Sequence, residues 1–172
     1  MKKLISTILF TVSLYANSLE TEFLNMSSKQ HSIMSKANTS GSAFDLGETL
    51  SAVLWEESRA GKFKIAVDEA AYGVGQMRII TALGLYNMED TRWNRNTMAH
   101  KLTFNDDFAI KSSAVFLWEL VQKYGWRGAV RYYNTGTSKV TISGERYRKR
   151  IWEKIKVIRK HKDMIMEAIY EL

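Results

Sequence analysis

The chain has 172 residues, of which 45% are hydrophobic, 25% charged and 12% aromatic, enough apolar surface for one packed domain and too little length for two. This composition excludes intrinsic disorder, and the absence of proline together with only ten scattered glycines excludes collagen-like and polyproline architectures. Cysteine is absent, which excludes disulfides, thiol catalysis, cysteine zinc sites and a lipoprotein anchor, while a formal charge of +7 favours a polyanionic partner: nucleic acid, an anionic lipid surface or an acidic polymer.

In chain order, Lys2 and Lys3 precede a short apolar run that ends on the small residue Ala16, which predicts a secretory signal peptide over residues 1–16. The run is shorter than the about 20 apolar residues of a membrane-spanning helix, although an uncleaved anchor is the alternative. Cleavage after Ala16 removes two lysines and lowers the formal charge to +5. Export makes a cell-wall polymer a better candidate partner than nucleic acid. Residues 17–43 are rich in Ser, Asn, Lys and Thr, and read as a polar tether with room for one loose helix, with Thr39-Ser40-Gly41-Ser42 as a turn signal. The remaining span, 44–172, reads as the folded domain.

Asp45 with Glu48 three residues on predicts a capping box that opens a helix to about Ala60, stopped by Gly61. A glycine-containing loop over Tyr72 to Gly75 leads into a short helix through Ile79, Ile80 and Leu83 that ends near Gly84. Asn105 caps a clearer helix in which Ile110, Ala114, Leu117 and Val121 recur at helical spacing before Gly125. A further short helix runs from about Arg127 to Asn134 and is closed by Gly136. From Gly144 onward, Tyr147, Ile151, Ile155 and Ile158 form one stripe of a strongly basic helix, with nine Lys or Arg against two Glu between Glu145 and Lys162. That helix face is either simply solvated or attracted to an acidic polymer. The β-branched runs, such as Val140-Thr141-Ile142, are short. The fold class is therefore mainly α, with room for a small β-hairpin.

Glu57 is the anomaly in this pattern. Stepping 100° per residue places it between Leu46 and Leu50, on the face shared with Val53 and Leu54, with Trp55 and Ser51 on the other side. Burial there would raise its carboxyl pKa, and an acid that keeps its proton near neutrality can protonate a leaving group. The ordinary alternative is an ion pair with Arg59 or Arg78. Asp68 and Glu69 are candidates for a second carboxylate if their loop folds back, and otherwise solvated loop charges. Gly73-x-Gly75 lacks the residues of a P-loop. His31, His100 and His161 show no metal-ligand spacing and read as surface residues, so no metal is expected.

Glu57-Ser58, the loop Ala71-Tyr72-Gly73-Val74-Gly75-Gln76-Met77, the segment Tyr132-Tyr133-Asn134-Thr135-Gly136 and the later Tyr147 occur in one order over roughly residues 44 to 157. This series resembles the catalytic domain of the SLT-type lytic transglycosylases, lysozyme-like enzymes that cleave peptidoglycan. The pattern of that family is a Glu-Ser pair at a helix end, an Ala-x-Gly-Leu-Met-Gln loop, an Ala-Tyr-Asn-Ala-Gly turn and a later helical tyrosine. The chain departs from it at Gly75, where methionine is usual, at Thr135 for alanine and at Ile79 for proline. Gly75 is expected to widen or loosen the groove wall.

The resemblance implies a single lysozyme-like domain with a substrate cleft, in which Glu57 is the catalytic acid and base. Ser58, Gly73, Gln76, Tyr133, Asn134 and Tyr147 then form the substrate-binding surroundings, and the Tyr147 hydroxyl is expected to position Glu57. It also implies a periplasmic location, glycan strands as partner, no nucleic acid and no cofactor. Small enzymes of this type accompany secretion or other envelope-spanning machines. Goose-type lysozymes share the Glu-Ser start and the glycine-glutamine loop, so a hydrolytic muramidase and a non-catalytic wall-binding module remain as alternatives.

Overall fold

The computed structural model describes residues 18–167, so the signal-peptide expectation for residues 1–16 lies outside the described residues. The described residues are mainly helical, with one small antiparallel sheet among them. Helix α1 covers 18–24 and is followed by α2 (Ser28–Ser42) and α3 (Gly47–Ser58). Strands β1 (Ile65–Ala66), β2 (Ala71–Tyr72) and β3 (Met77–Arg78) come next, then α4 (Ile79–Leu85), α5 (Arg92–Phe104), α6 (Asp106–Thr135), α7 (Ile142–Lys160) and α8 (Lys162–Glu167). The sheet order is β1-β2-β3, with Ile65 opposite Tyr72 and Tyr72 opposite Met77. Among the described residues, no helix is long and apolar enough to cross a membrane.

Helix α3 is the axis of the core. Leu50, Ser51, Ala52, Val53, Leu54 and Trp55 are all fully buried, so the helix has no solvent face in its middle turns, and the expected division between Leu50 and Trp55 is absent. It packs chiefly against α2 on one side and α7 on another. Tyr147, Ile151, Ile155 and Ile158 of α7 are buried together, in line with the periodic stripe. The expected end at Gly61 is also corrected: Arg59 and Ala60 already take left-handed conformations, at φ 50° and 52°, and α3 stops at Ser58.

The tether expected over residues 17–43 is instead part of the packed body. Phe23, Ile33, Met34 and Ala37 join the core, and α2 opens on a true capping box between Ser27 and Gln30. Thr39 to Ser42 is helical rather than a turn. The physical reason is close approach. A Cβ on Gly41 would lie 2.8 Å from the Leu46 carbonyl oxygen, and one on Gly47 would lie 2.5 Å from Asn38 Oδ1. Small residues let α2 and α3 touch backbone to backbone, which leaves little hydrophobic periodicity to read. The capping box expected at Asp45 is absent: Asp45 has φ 58°, Leu46 occupies the N-cap, and no side chain caps α3.

Helix α6 starts where expected, with Asn105 Oδ1 accepting from Phe108 N at 2.9 Å. As expected, Gly125, at φ 65° and ψ 168°, interrupts the helix, so that α6 consists of two limbs, and the second stops at Gly136 in the left-handed region. Helix α5, capped by Thr91, fills a stretch with no expected element. The short strands lie at 65–78, whereas Thr141 caps α7 by accepting from Gly144 N at 3.0 Å. The histidines are not uniformly on the surface. His31 is buried against Phe23, His161 stacks on the same ring, and only His100 is exposed.

Candidate active site

Glu57 sits in the last turn of α3, half-buried, where the helix C-terminus already disfavours negative charge. Burial raises its carboxyl to about 7; the Tyr147 hydrogen bond opposes that rise, while the charges of Glu56 and Glu69 add to it. The Tyr147 hydroxyl donates to Glu57 Oε1 at 2.5 Å, and Tyr147 is itself fully buried on the α7 stripe. Neither Arg59 nor Arg78 pairs with Glu57. The ion pairing falls on the neighbouring Glu56, which meets Arg150 Nε at 2.5 Å and Lys154 Nζ at 2.9 Å. Burial pulls the Glu56 carboxyl up, but Lys154 and Arg150 outweigh it and hold the group below its ordinary value. Arg150 also lies over the Tyr147 ring, at 5.7 Å from its centroid.

The glycine loop is fixed to the end of α3 by Ser58. Its hydroxyl donates to the Val74 carbonyl at 2.7 Å and accepts from Gly61 N at 2.8 Å, and the residue is 1% exposed. Ser58 is therefore a loop brace and not a group open to substrate, which corrects the expectation placed on it. Gly73 is likewise structural: at φ 78° it turns the chain, and a Cβ there would lie 2.3 Å from the Leu102 carbonyl oxygen. Gln76, also at positive φ, directs its amide nitrogen to the carbonyls of Gly73 at 2.9 Å and Phe63 at 3.2 Å.

Tyr133 ties the second limb of α6 to the loop. Its hydroxyl donates to the Gly75 carbonyl at 2.9 Å, and burial followed by the nearby Glu57 charge pushes that hydroxyl well above its ordinary pKa. A cavity of about 280 Å³ opens beside it, lined by Gln76, Thr81, Phe116, Tyr133 and the exposed Asn134 among others. Glu57 is not among the cavity's lining residues, whereas Tyr133, on whose hydroxyl its charge acts, is one of them. Gly75 does not loosen this wall. A Cβ on it would fall 1.9 Å from Ser113 Oγ and 3.0 Å from the Tyr133 hydroxyl, so the space is already filled.

Sequence reasoning missed Ser113, Glu56 and Arg150. Ser113 had a signal, because it stands between Ile110 and Leu117 on the buried stripe of α6; its buried hydroxyl faces Gly75. The hairpin brings Glu69 close enough for its charge to act on Glu57, while Asp68 and Glu69 are both exposed. On the basic C-terminal stretch, Arg148, Arg150, Lys154, Lys156, Arg159 and Lys160 each have an acidic partner, so much of the expected positive face is internally neutralised. Among the described residues, no cluster of three or more His, Asp or Glu could hold a metal ion. In comparison with known proteins, the chain matches no family model, no curated protein and no solved structure.

Proposed function

We propose that the chain is a lysozyme-like lytic transglycosylase of the SLT type, exported to the periplasm, that cleaves the β-1,4 bond between N-acetylmuramic acid and N-acetylglucosamine in peptidoglycan. The observation that carries this reading is the Glu57 carboxyl, raised to about 7 by burial and held by the Tyr147 hydroxyl at 2.5 Å. An acid in that range holds its proton near neutrality and can still give it up.

In the proposed reaction, Glu57 transfers its proton to the glycosidic oxygen. The bond from that oxygen to the muramyl anomeric carbon breaks, and N-acetylglucosamine leaves as an alcohol. The oxocarbenium-like centre is stabilised by the substrate acetamido group and by fixed dipoles of the cleft. The Glu57 carboxylate then takes the proton of the muramyl 6-hydroxyl as that oxygen bonds to the anomeric carbon. A 1,6-anhydro ring results, the acid is regenerated, and no water is consumed. Because the substrate supplies the nucleophile, one carboxylate suffices where ordinary glycoside hydrolases use two. Gln76, Tyr133 and Asn134 are the proposed sugar contacts, Tyr147 positions the acid, and Ser58 and Gly73 shape the loop. This chemistry requires no cofactor.

One observation favours a second reading. Glu69 sits on the hairpin within electrostatic reach of Glu57, and a carboxylate so placed could activate water, making the protein a muramidase. Mass spectrometry of digested sacculi separates these readings. Anhydromuramyl ends support the transglycosylase, reducing ends support the muramidase, and no release supports a non-catalytic wall-binding module. Glu57→Gln is expected to lower muropeptide release by at least about 10²-fold; undiminished release refutes its role. The proposed setting is local wall opening for a secretion or other envelope-spanning machine.

A further inference from the structure

At the other end of α3 from Glu57, the first helical turn borders a separate cavity of about 490 Å³. Glu48 at its edge is nine residues from Glu57 on the same helix, about 14 Å along the axis. Two tryptophans form an aromatic corner there. Trp126 follows the Gly125 kink and Trp152 comes from α7, with ring centroids 6.0 Å apart and planes 79° to one another. Both rings are braced. Trp126 Nε1 donates to Thr49 Oγ1 at 3.0 Å, while the Arg159 guanidinium lies 5.6 Å from the Trp152 centroid and its Nε donates to Glu48 Oε2 at 2.7 Å. Trp152 nevertheless keeps 42% of its surface exposed.

The rest of the lining discriminates between ligand classes. Asp45 and Glu48 face the same cavity as Arg159 and Lys162, so the rim carries both signs. A polyanion would meet two carboxylates, and an apolar peptide would have to desolvate all four charges. A neutral sugar ring avoids both penalties, because its C–H face can lie on an indole while its hydroxyl and amide groups meet paired donors and acceptors. The volume lies in the range of about 300–1,000 Å³ typical of small-ligand sites.

We propose that this cavity is a second saccharide site, taking an N-acetylated, β-linked amino sugar with Trp152 as its stacking surface. The identity of the polymer rests on the peptidoglycan reading above, whereas the existence of the site does not. It would hold a stretch of glycan distant from the Glu57 cleft and so keep the protein on its substrate.

The test uses the isotopically labelled chain carrying Glu57→Gln, so that the probe is not cleaved, titrated with chitotetraose, the β-1,4-linked tetramer of N-acetylglucosamine. The indole N–H resonances of Trp126 and Trp152 are expected to shift and saturate together. Adding Trp152→Ala is expected to weaken that saturation about tenfold. If that variant fails to fold, Thr49→Val, which releases the Trp126 ring, is expected to weaken it as well. Indole signals that stay fixed while those of Gln76 shift overturn the proposal, as does unaltered affinity in the folded Trp152→Ala variant. Saturation at the two indoles, with no muropeptide released by the parent chain, leaves this site standing and removes the catalytic reading.

Discussion

The Tyr147 hydroxyl donates to Glu57 Oε1 at 2.5 Å across 90 residues of sequence, joining the end of α3 to the buried stripe of α7. Because this bond favours the carboxylate, it opposes the effect of burial on the acid. Tyr147→Phe is therefore expected to push Glu57 above about 7, moving the falling limb of the pH–rate profile to higher pH. Loss of a hydrogen bond to a charged group is expected to lower the rate about ten- to a hundredfold. Muropeptide release measured across pH checks this, and a limb that stays in place contradicts it.

The raised carboxyl also links stability to pH. Its folded value, about 7, lies above the ordinary 4.5, so between these values the folded state binds more protons than the unfolded chain. Stability from this group is complete below about pH 4.5 and is lost as pH rises through about 7. The loss is at most about 3 kcal/mol. Glu57→Gln keeps the site neutral and is expected to melt at a higher temperature than the parent at pH 8, with little difference at pH 4. Thermal unfolding at the two pH values measures it; equal differences at both pH values would refute the burial argument.

Glu56 holds Arg150 and the buried Lys154, and its charge adds to the rise of Glu57. Glu56→Gln removes that contribution and frees the Arg150 guanidinium, so the acid is expected to titrate lower and the falling limb of the rate profile to move to lower pH. The same substitution leaves Lys154, 5% exposed beneath Trp55, without its partner. That is expected to destabilise the fold by about 3 kcal/mol. Adding Lys154→Met should recover most of the stability and leave the pH shift in place. Denaturant titration and the pH–rate profile of both variants separate the two effects.

Local signals accounted for most of what the sequence made legible. The Asn105 cap, the α7 stripe and the Gly136 stop depend on neighbours a few residues away, and all three occur as expected. The carboxylate at Glu57 stood out because it interrupted an apolar run, even though Trp55 and Ser51 on the supposed opposite face are fully buried too. The sequence allows a loose helix within 17–43, but the packing of α2 into the body escaped because it runs through Ser35, Ala37 and Gly41, whose small size permits close contact without leaving a hydrophobic stripe. Pairing across 94 residues, as between Glu56 and Arg150, leaves no trace in spacing. Ser58 and Gly73 were recognised by type, yet their buried bonds and contacts, which decide that they brace rather than bind, exist only after folding.

The fit of Gly75 against α6 gives a direct test of the loop geometry. A Cβ there would lie 1.9 Å from Ser113 Oγ and 3.0 Å from both Ser113 Cβ and the Tyr133 hydroxyl. Gly75→Ala therefore forces Ser113 to change rotamer and crowds the tyrosine that holds the loop carbonyl, at an expected cost of about 1–3 kcal/mol. The loss should reach the proposed activity as well, because Tyr133 lines the cavity proposed to take the sugar. Ser113→Gly removes both Ser113 atoms from the clash, so the double variant is expected to regain most of the stability lost by Gly75→Ala alone, measured against Ser113→Gly. Strict additivity of the two substitutions in chemical denaturation would mean that Gly75 and Ser113 do not meet as described.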